Sequence, residues 1–208
     1  MVIEEMGERA IIVKFGDEIS PDAHKMVIAL DRFLAGLKTL FEWIPSYASV
    51  TILYDPEVIG HEEIVRIIGQ FRPEEIEEGE KETIEVPVMY GSKYGPDIEF
   101  VSDLNKMTVE EFIKFHSSFI YEVWMMGFMP GFAYLYGYTG SKVPRLERPR
   151  KYVMAGSVGI AGNQCGIYPF DSPGGWRIIG RTELKIFDIH KNPPSLFDLG
   201  KRVRFIPI

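Results

Sequence analysis

The chain has 208 residues, 46% hydrophobic and 25% charged, the balance of an ordinary globular protein with one large domain or two small ones. Net charge is −7 but uneven: residues 1–83 carry 18 acidic and 8 basic side chains, residues 84–208 carry 12 and 15. That spread suits an anionic ligand or acidic partner for the C-terminal half and argues against a nucleic-acid binder; the single cysteine, Cys165, excludes an internal disulfide framework. No apolar run reaches the roughly 18 residues of a membrane-spanning helix. The first residues lack a signal-peptide pattern, so a cytoplasmic location is expected.

Residues 10–15, apolar and β-branched, predict a short strand. Ser20 and Pro21 form a helix start, Ser as N-cap and Pro at the first helical position. Met26, Val27, Leu30, Phe33, Leu34, Leu37 and Leu40 then recur at helical spacing, a core-packing stripe. Strands are expected at 43–45 and 49–54, the second closed by the Asp55-Pro56 turn. Ile64, Ile67, Ile68 and Phe71 mark a second helix. Residues 83–90 alternate as a further strand, with Pro87 at an edge or bulge. The order β-α-β-β-α-β is the split βαβ, ferredoxin-like pattern. The acidic run 74–82 reads as an exposed connection near a boundary between domains 1–83 and 84–208.

In the second half, Asp97 is placed to cap a short helix through Leu104. Thr108 with Glu111 is a capping-box signature for a helix ending at His116. Residues 119–126 alternate, with Tyr121, Val123 and Met125 on one face and Glu122, Trp124 and Met126 on the other. The remainder reads as short strands and turns, consistent with a closed β-barrel. Eleven of the twenty glycines fall between Gly127 and Gly180, interleaved with Phe, Tyr, Trp, Gln, Ser and Arg. Such a stretch suits a concave site of backbone donors, aromatic faces and a few polar groups; a tight-cornered barrel without chemistry has the same composition.

None of His24, His61, His116 or His190 sits at metal-ligand spacing with another ligating residue, so no metal site is expected. His116 ends a helix just before the strand leading into Gly127; it reads either as a helix-end histidine bonded to a carbonyl or as a site residue. Cys165 reads as a small buried barrel residue, although a nucleophile with distant partners has the same signature. Ser172-Pro173-Gly174-Gly175 is a plain turn or an anion-binding nest. Arg145 and Arg150 each follow a proline in a basic segment, and arginine forks suit carboxylate or phosphate. Asp171 and Glu122 would serve as general acids or bases only if desolvated.

At these residues the chain resembles a known family. His116-Ser117-Ser118, the run 127–135, Gly156-Ser157-Val158, Gly166-Ile167-Tyr168-Pro169 and Ser172-Pro173-Gly174-Gly175-Trp176 are similar to the KipI / allophanate hydrolase subunit 1 family. The same module is similar to part of the carboxyltransferase domain of urea carboxylase. The resemblance extends to 87–91, 95–97, 44–47 and Asp55-Pro56, nearly the whole chain. Met154 departs from it, standing where the family usually has proline, and Arg148 falls at a position the family does not mark.

The resemblance implies an α+β fold: a small ferredoxin-like N-terminal domain, then a cyclophilin-like β-barrel. It implies a B-type subunit of an ATP-dependent 5-oxoprolinase that works with A-type and C-type subunits on a small lactam or amide. ATP would be bound by the assembled complex. The alternatives are a KipI-like inhibitor of a histidine kinase and a component of an allophanate or urea system; prolyl isomerase activity would rest on fold alone. The expected site lies on the barrel, from the loop 127–132, the segment 144–150 and the stretch 164–176. His116 and Arg150 are expected as catalytic groups. Gly127, Phe128, Pro130, Gly131, Arg145, Gln164, Tyr168, Gly174, Gly175 and Trp176 are expected around substrate, Trp176 as an apolar wall.

Overall fold

The computed structural model describes residues 1–37, 41–75 and 82–208. It divides into two compact units, Met1–Glu80 and Lys81–Ile208. The acidic run expected to join two domains lies mostly outside the described residues.

The first unit is built from β1 (Val2–Glu5), β2 (Ala10–Lys14), α1 (Pro21–Ala35), β3 (Phe41–Pro45), β4 (Ser49–Tyr54) and α2 (His61–Ile68). The sheet order is β1-β2-β4-β3, antiparallel throughout. Alternation on β2 and β4 sends Ile11, Val13, Val50 and Ile52 to one face, fully buried with Val27, Leu30, Leu34, Ile64 and Ile68 of the helices. At the start of α1 the Ser20 hydroxyl accepts from the Ala23 N–H at 3.2 Å, with Pro21 opening the helix. The helix stops before Gly36, so Leu37 lies beyond it and exposed, and Leu40 lies outside the described residues.

One strand of the expected pattern is misassigned. The sheet edge that a strand after α2 would fill is held by β1, which hairpins onto β2 across four residues. A partner that near in sequence needs little loop closure.

β5 (Thr83–Tyr90) belongs to the second unit instead. It is followed by α3 (Ile98–Leu104), α4 (Val109–Ser117), β6 (Ile120–Met126), β7 (Ala133–Tyr136), β8 (Arg150–Val153), β9 (Ser157–Ala161), β10 (Gln164–Ile167), β11 (Ser172–Gly174), β12 (Arg177–Arg181) and β13 (Arg202–Pro207). Seven strands close into a barrel in the order β10-β7-β6-β13-β5-β12-β9, and β11 pairs with β8 beside it. β5 runs parallel to β13 and touches β12 only at Met89 and Tyr90, so Pro87 asks no hydrogen bond of β12. The capping box of α4 forms in both directions between Thr108 and Glu111. On β6 the register shifts between Val123 and Met125, and Trp124 turns to stack on Tyr136 at 3.6 Å. The simple alternation expected there fails: Met126, rather than Met125, packs with Tyr121 and Val123 against the core.

The side-chain period of two divides the barrel wall into two chemistries. Val158, Ile160, Cys165, Ile167, Leu135 and Ile179 join the interior core. Their neighbours on the same strands, Ala161 and Ile178, join a second cluster with Phe132, Val153, Tyr168 and Trp176.

Candidate functional site

That second cluster is the floor of a pocket of about 260 Å³, lined by Phe128, Phe132, Tyr134, Arg145, Leu146, Pro149, Tyr168, Pro173, Gly174, Gly175 and Trp176. The outer face of β9 and β10 is bare at Gly159 and Gly166, and aromatic rings fill the space. A Cβ at Gly166 would stand 2.7 Å from Phe132 Cζ and 3.1 Å from Trp176 Cζ3; one at Gly159 would stand 3.1 Å from Trp176 Cβ. Phe132 meets Trp176 edge to face at 5.6 Å and Tyr168 at 5.4 Å, and Tyr134 meets Trp176 at 5.7 Å. Edge-to-face packing is the favourable geometry for such rings and makes a stiff wall. The Tyr168 hydroxyl lies over Gly174, where a Cβ would stand 2.5 Å from it.

Two segments form the rim. Leu146 donates its N–H to the Gly175 carbonyl at 2.8 Å, which brings 144–149 alongside the pocket and sets the exposed Arg145 at its edge. The loop 127–132 folds on itself through Gly127 N–H to Phe132 O (3.1 Å), Met129 N–H to Gly127 O (2.8 Å) and Phe132 N–H to Met129 O (3.0 Å). The middle bond spans three residues and puts Phe128 at φ +67°, the strained form of γ-turn. The turn holds the Phe128 ring 61% exposed at the lip, edge to face with Phe132. Burial raises the Tyr134 and Tyr168 phenols above their ordinary range, and the Arg145 charge works against that rise, as do the Trp176 N–H and Arg150 at Tyr168. Both phenols are therefore protonated donors at neutral pH.

The three expected pieces of chain do meet here, but not every expected residue takes part. Phe128, Arg145, Tyr168, Gly174, Gly175 and Trp176 line the pocket. Gln164 instead lines a neighbouring groove with Arg145. Gly127, Pro130 and Gly131 shape the loop without lining the pocket; Gly131, at φ +82°, lies where a Cβ would stand 2.8 Å from Phe187 Cβ. Ser172–Gly174, expected as a turn or an anion nest, is a short strand paired with β8.

His116 is not at this site. It is fully buried inside the barrel among Phe112, Tyr121 and Phe205. Nδ1 is 2.8 Å from the Tyr90 hydroxyl and Nε2 is 3.3 Å from Cys165 Sγ. Burial pulls its pKa down to about 3, so the ring is neutral, and the same burial pushes the Cys165 thiol up. Cys165 faces inward and Gly166 outward on β10, so the barrel wall stands between the histidine and the pocket.

Arg150 is also reassigned. Its guanidinium donates to Asp97 Oδ1 at 2.9 Å and reaches the Trp176 carbonyl at 3.4 Å. Asp97, only 7% exposed at its side chain, also accepts the Ile178 N–H at 2.7 Å and meets Arg177 at 3.4 Å. The carboxylate expected to cap α3 makes no cap bond and instead ties α3 to β8 and β12. Sequence reading missed this role because its partners lie 53 and more residues away. Asp171 accepts from Ala155 N–H and Tyr152 hydroxyl, each at 2.7 Å, and those bonds hold its carboxyl below the usual range, the reverse of a desolvated general acid. Among the described residues, no group of three or more His, Cys, Asp or Glu side chains is arranged to hold a metal, and no helix is long and apolar enough to cross a membrane.

A family model described as carboxyltransferase domain, subdomain C and D, matches residues 1–197. The chain is 38% identical to the B-type subunit of 5-oxoprolinase from Bacillus subtilis (strain 168), over 99% of this chain and 92% of that protein. It is 37% identical to the B-type subunit of 5-oxoprolinase from Escherichia coli O157:H7, over 97% and 94%. Its structure is similar to that of TTHA0988, with a TM-score of 0.82 and 30% identity over 96% of this chain; the chain spans 40% of that protein's length.

Proposed function

This chain belongs to the carboxyltransferase domain, subdomain C and D family, and from that premise we propose that it is the B-type subunit of an ATP-dependent 5-oxoprolinase. The reaction converts 5-oxoproline, ATP and water to glutamate, ADP and phosphate. The observation that carries the reading is the pocket itself: a small slot of about 260 Å³ with rigid aromatic walls and one arginine at its rim. 5-Oxoproline is a flat five-membered lactam with one carboxylate. Its ring suits the faces of Phe132, Trp176 and Tyr168, and its carboxylate suits the Arg145 fork.

An unstrained amide is a poor electrophile, and phosphorylating its oxygen makes the carbon attackable by water. In this reading the chain's own residues bind and orient: Arg145 holds the carboxylate, the protonated Tyr168 offers a hydrogen bond, and Trp176 with Phe132 excludes water. The sequence carries no Walker A motif, and Ser172–Gly174 pairs with β8. The nucleotide is therefore assigned to the assembly with A-type and C-type subunits, and the isolated chain is expected to be inactive.

The test is reconstitution. The purified chain should bind 5-oxoproline, read by Trp176 fluorescence against a Trp176→Phe control, without turning it over. Mixing with A-type and C-type partners should give ATP-dependent release of glutamate. Robust turnover by the chain alone would overturn the subunit role, and no 5-oxoproline response in either state would overturn the substrate.

A further inference from the structure

A second concavity, of about 440 Å³, adjoins the aromatic pocket and is lined by Lys142, Val143, Pro144, Arg145, Ala161, Gly162 and Gln164. Arg145 lines both. The groove has a fixed backbone. Val143 donates to the Gly162 carbonyl at 2.9 Å and Gly162 returns the bond at 2.7 Å, fastening the strip that carries Lys142 and Arg145 to the turn between β9 and β10. Gly162 sits at φ +60° with open space where a side chain would begin, so no side chain crowds the groove there.

The charges here are uncompensated. In the same unit Arg150, Arg177, Lys185, Lys201 and Arg204 each have a carboxylate partner, whereas other described cations, Arg148 and Lys151 among them, face solvent without one. Among the described residues, Lys142 and Arg145 have none, and no acid lines the groove. A ligand with one carboxylate satisfies one of these two cations. The second, exposed beside it on the same groove, is left for another anionic group within reach of the first.

We propose that this groove binds a phosphate-class oxyanion beside the aromatic pocket, held by Lys142 and by Arg145, which the two subsites share. Phosphate carries a charge of about −1.5 to −2 near neutrality, which matches two cations, and lysine serves it as a point charge while arginine serves it as a fork. The proposal deepens the 5-oxoproline reading, on which it rests only for the identity of the neighbouring ligand. It makes the two pockets one bipartite site, in which the oxyanion and the lactam meet across a single guanidinium.

The test is an amide NMR titration of the full-length chain with inorganic phosphate, at constant ionic strength set with chloride. Saturable shifts are expected at the Val143, Ala161 and Gly162 amides. Lys142→Gln should weaken phosphate about tenfold, the loss of one bond to a charged group, while leaving 5-oxoproline binding within about twofold. Arg145→Gln should weaken both ligands. ATP read on the same amides separates the two sources of a phosphoryl group: saturation about tenfold tighter than inorganic phosphate marks a nucleotide tail, and parity marks the free ion. Absence of saturable shifts, an equal response to chloride, or full phosphate affinity in Lys142→Gln would overturn the proposal and leave two cations facing water. Binding of 5-oxoproline without phosphate sinks only the groove. Phosphate binding without 5-oxoproline sinks the lactam and leaves the groove standing.

Discussion

The inner and outer faces of β9 and β10 carry opposite chemistries. Inward, Cys165 meets His116, which meets Tyr90, in a buried barrel interior where burial keeps all three neutral. Outward, Gly159 and Gly166 leave the wall bare, and Phe132, Trp176 and Tyr168 form a cup with Arg145 at its edge. The residues usually counted as reactive, a histidine and a cysteine, are fully buried on the inner face. The face suited to a ligand is made of glycine, aromatic rings and one unpaired cation. Reactivity follows from access and charge state, which adjacent positions on one strand do not share.

The sharpest way to break this division is at Asp97, the carboxylate that ties Arg150 and Arg177 behind the cup. Asp97→Ala strands two guanidinium groups and the Ile178 N–H, and should cost about 3–5 kcal/mol of stability, read by chemical denaturation. A loss under about 1 kcal/mol would mean that the pair contributes nothing net, as at a solvated surface. Next is the wall itself. Gly166→Ala drives a methyl group into Phe132 and Trp176, and should cost about 3 kcal/mol and abolish 5-oxoproline binding. Retained binding at full stability would show that the cup yields.

The two arginines sharpen the contrast further. Arg145→Ala should leave the melting temperature unchanged and weaken 5-oxoproline binding by about 2 kcal/mol, whereas Arg150→Ala should lower stability by about 2 kcal/mol through its lost bonds to Asp97. Arg148, exposed, should matter to neither. If Arg150→Ala alone weakens binding in a stable protein, the division between the arginines fails.

The smallest effect probes the interior by pH. The His116 pKa is depressed from its ordinary value of 6.5 to about 3 in the folded protein, so on acidification the unfolded chain takes up a proton that the native chain refuses. The stabilising contribution is complete above about pH 6.5 and is lost as pH falls toward 3, at roughly 1 kcal/mol per pH unit. His116→Gln should flatten the stability profile between pH 6.5 and 5; an unchanged slope would place its origin elsewhere.

Much of this was legible along the chain. The caps at Ser20 and Thr108, the stripe on α1, the capping box of α4 and the strand at Ser49–Tyr54 are local, set by side chains within one turn or by period-two alternation. The pocket's ingredients, glycine among aromatics, were visible in the sequence too, although a barrel with tight corners has the same composition. Family membership was carried by several separate strings of this kind. Pairing was not legible. Whether β5 completes the first sheet or enters the barrel depends on strands at β13 and β12, more than 80 residues away, and β1 had no motif of its own.

The sequence by itself therefore determined the barrel class and the family, since each rests on local pattern. Only the tertiary structure decided that Arg150 pairs with Asp97 while Arg145 stays exposed, that His116 is buried in the barrel, and that Gln164 and Lys142 line a second concavity. Those outcomes depend on which side of a strand faces inward and on which carboxylate arrives from elsewhere in the chain. Asp97 reaches Arg150 across 53 residues, and a one-residue step from Cys165 to Gly166 crosses the barrel wall.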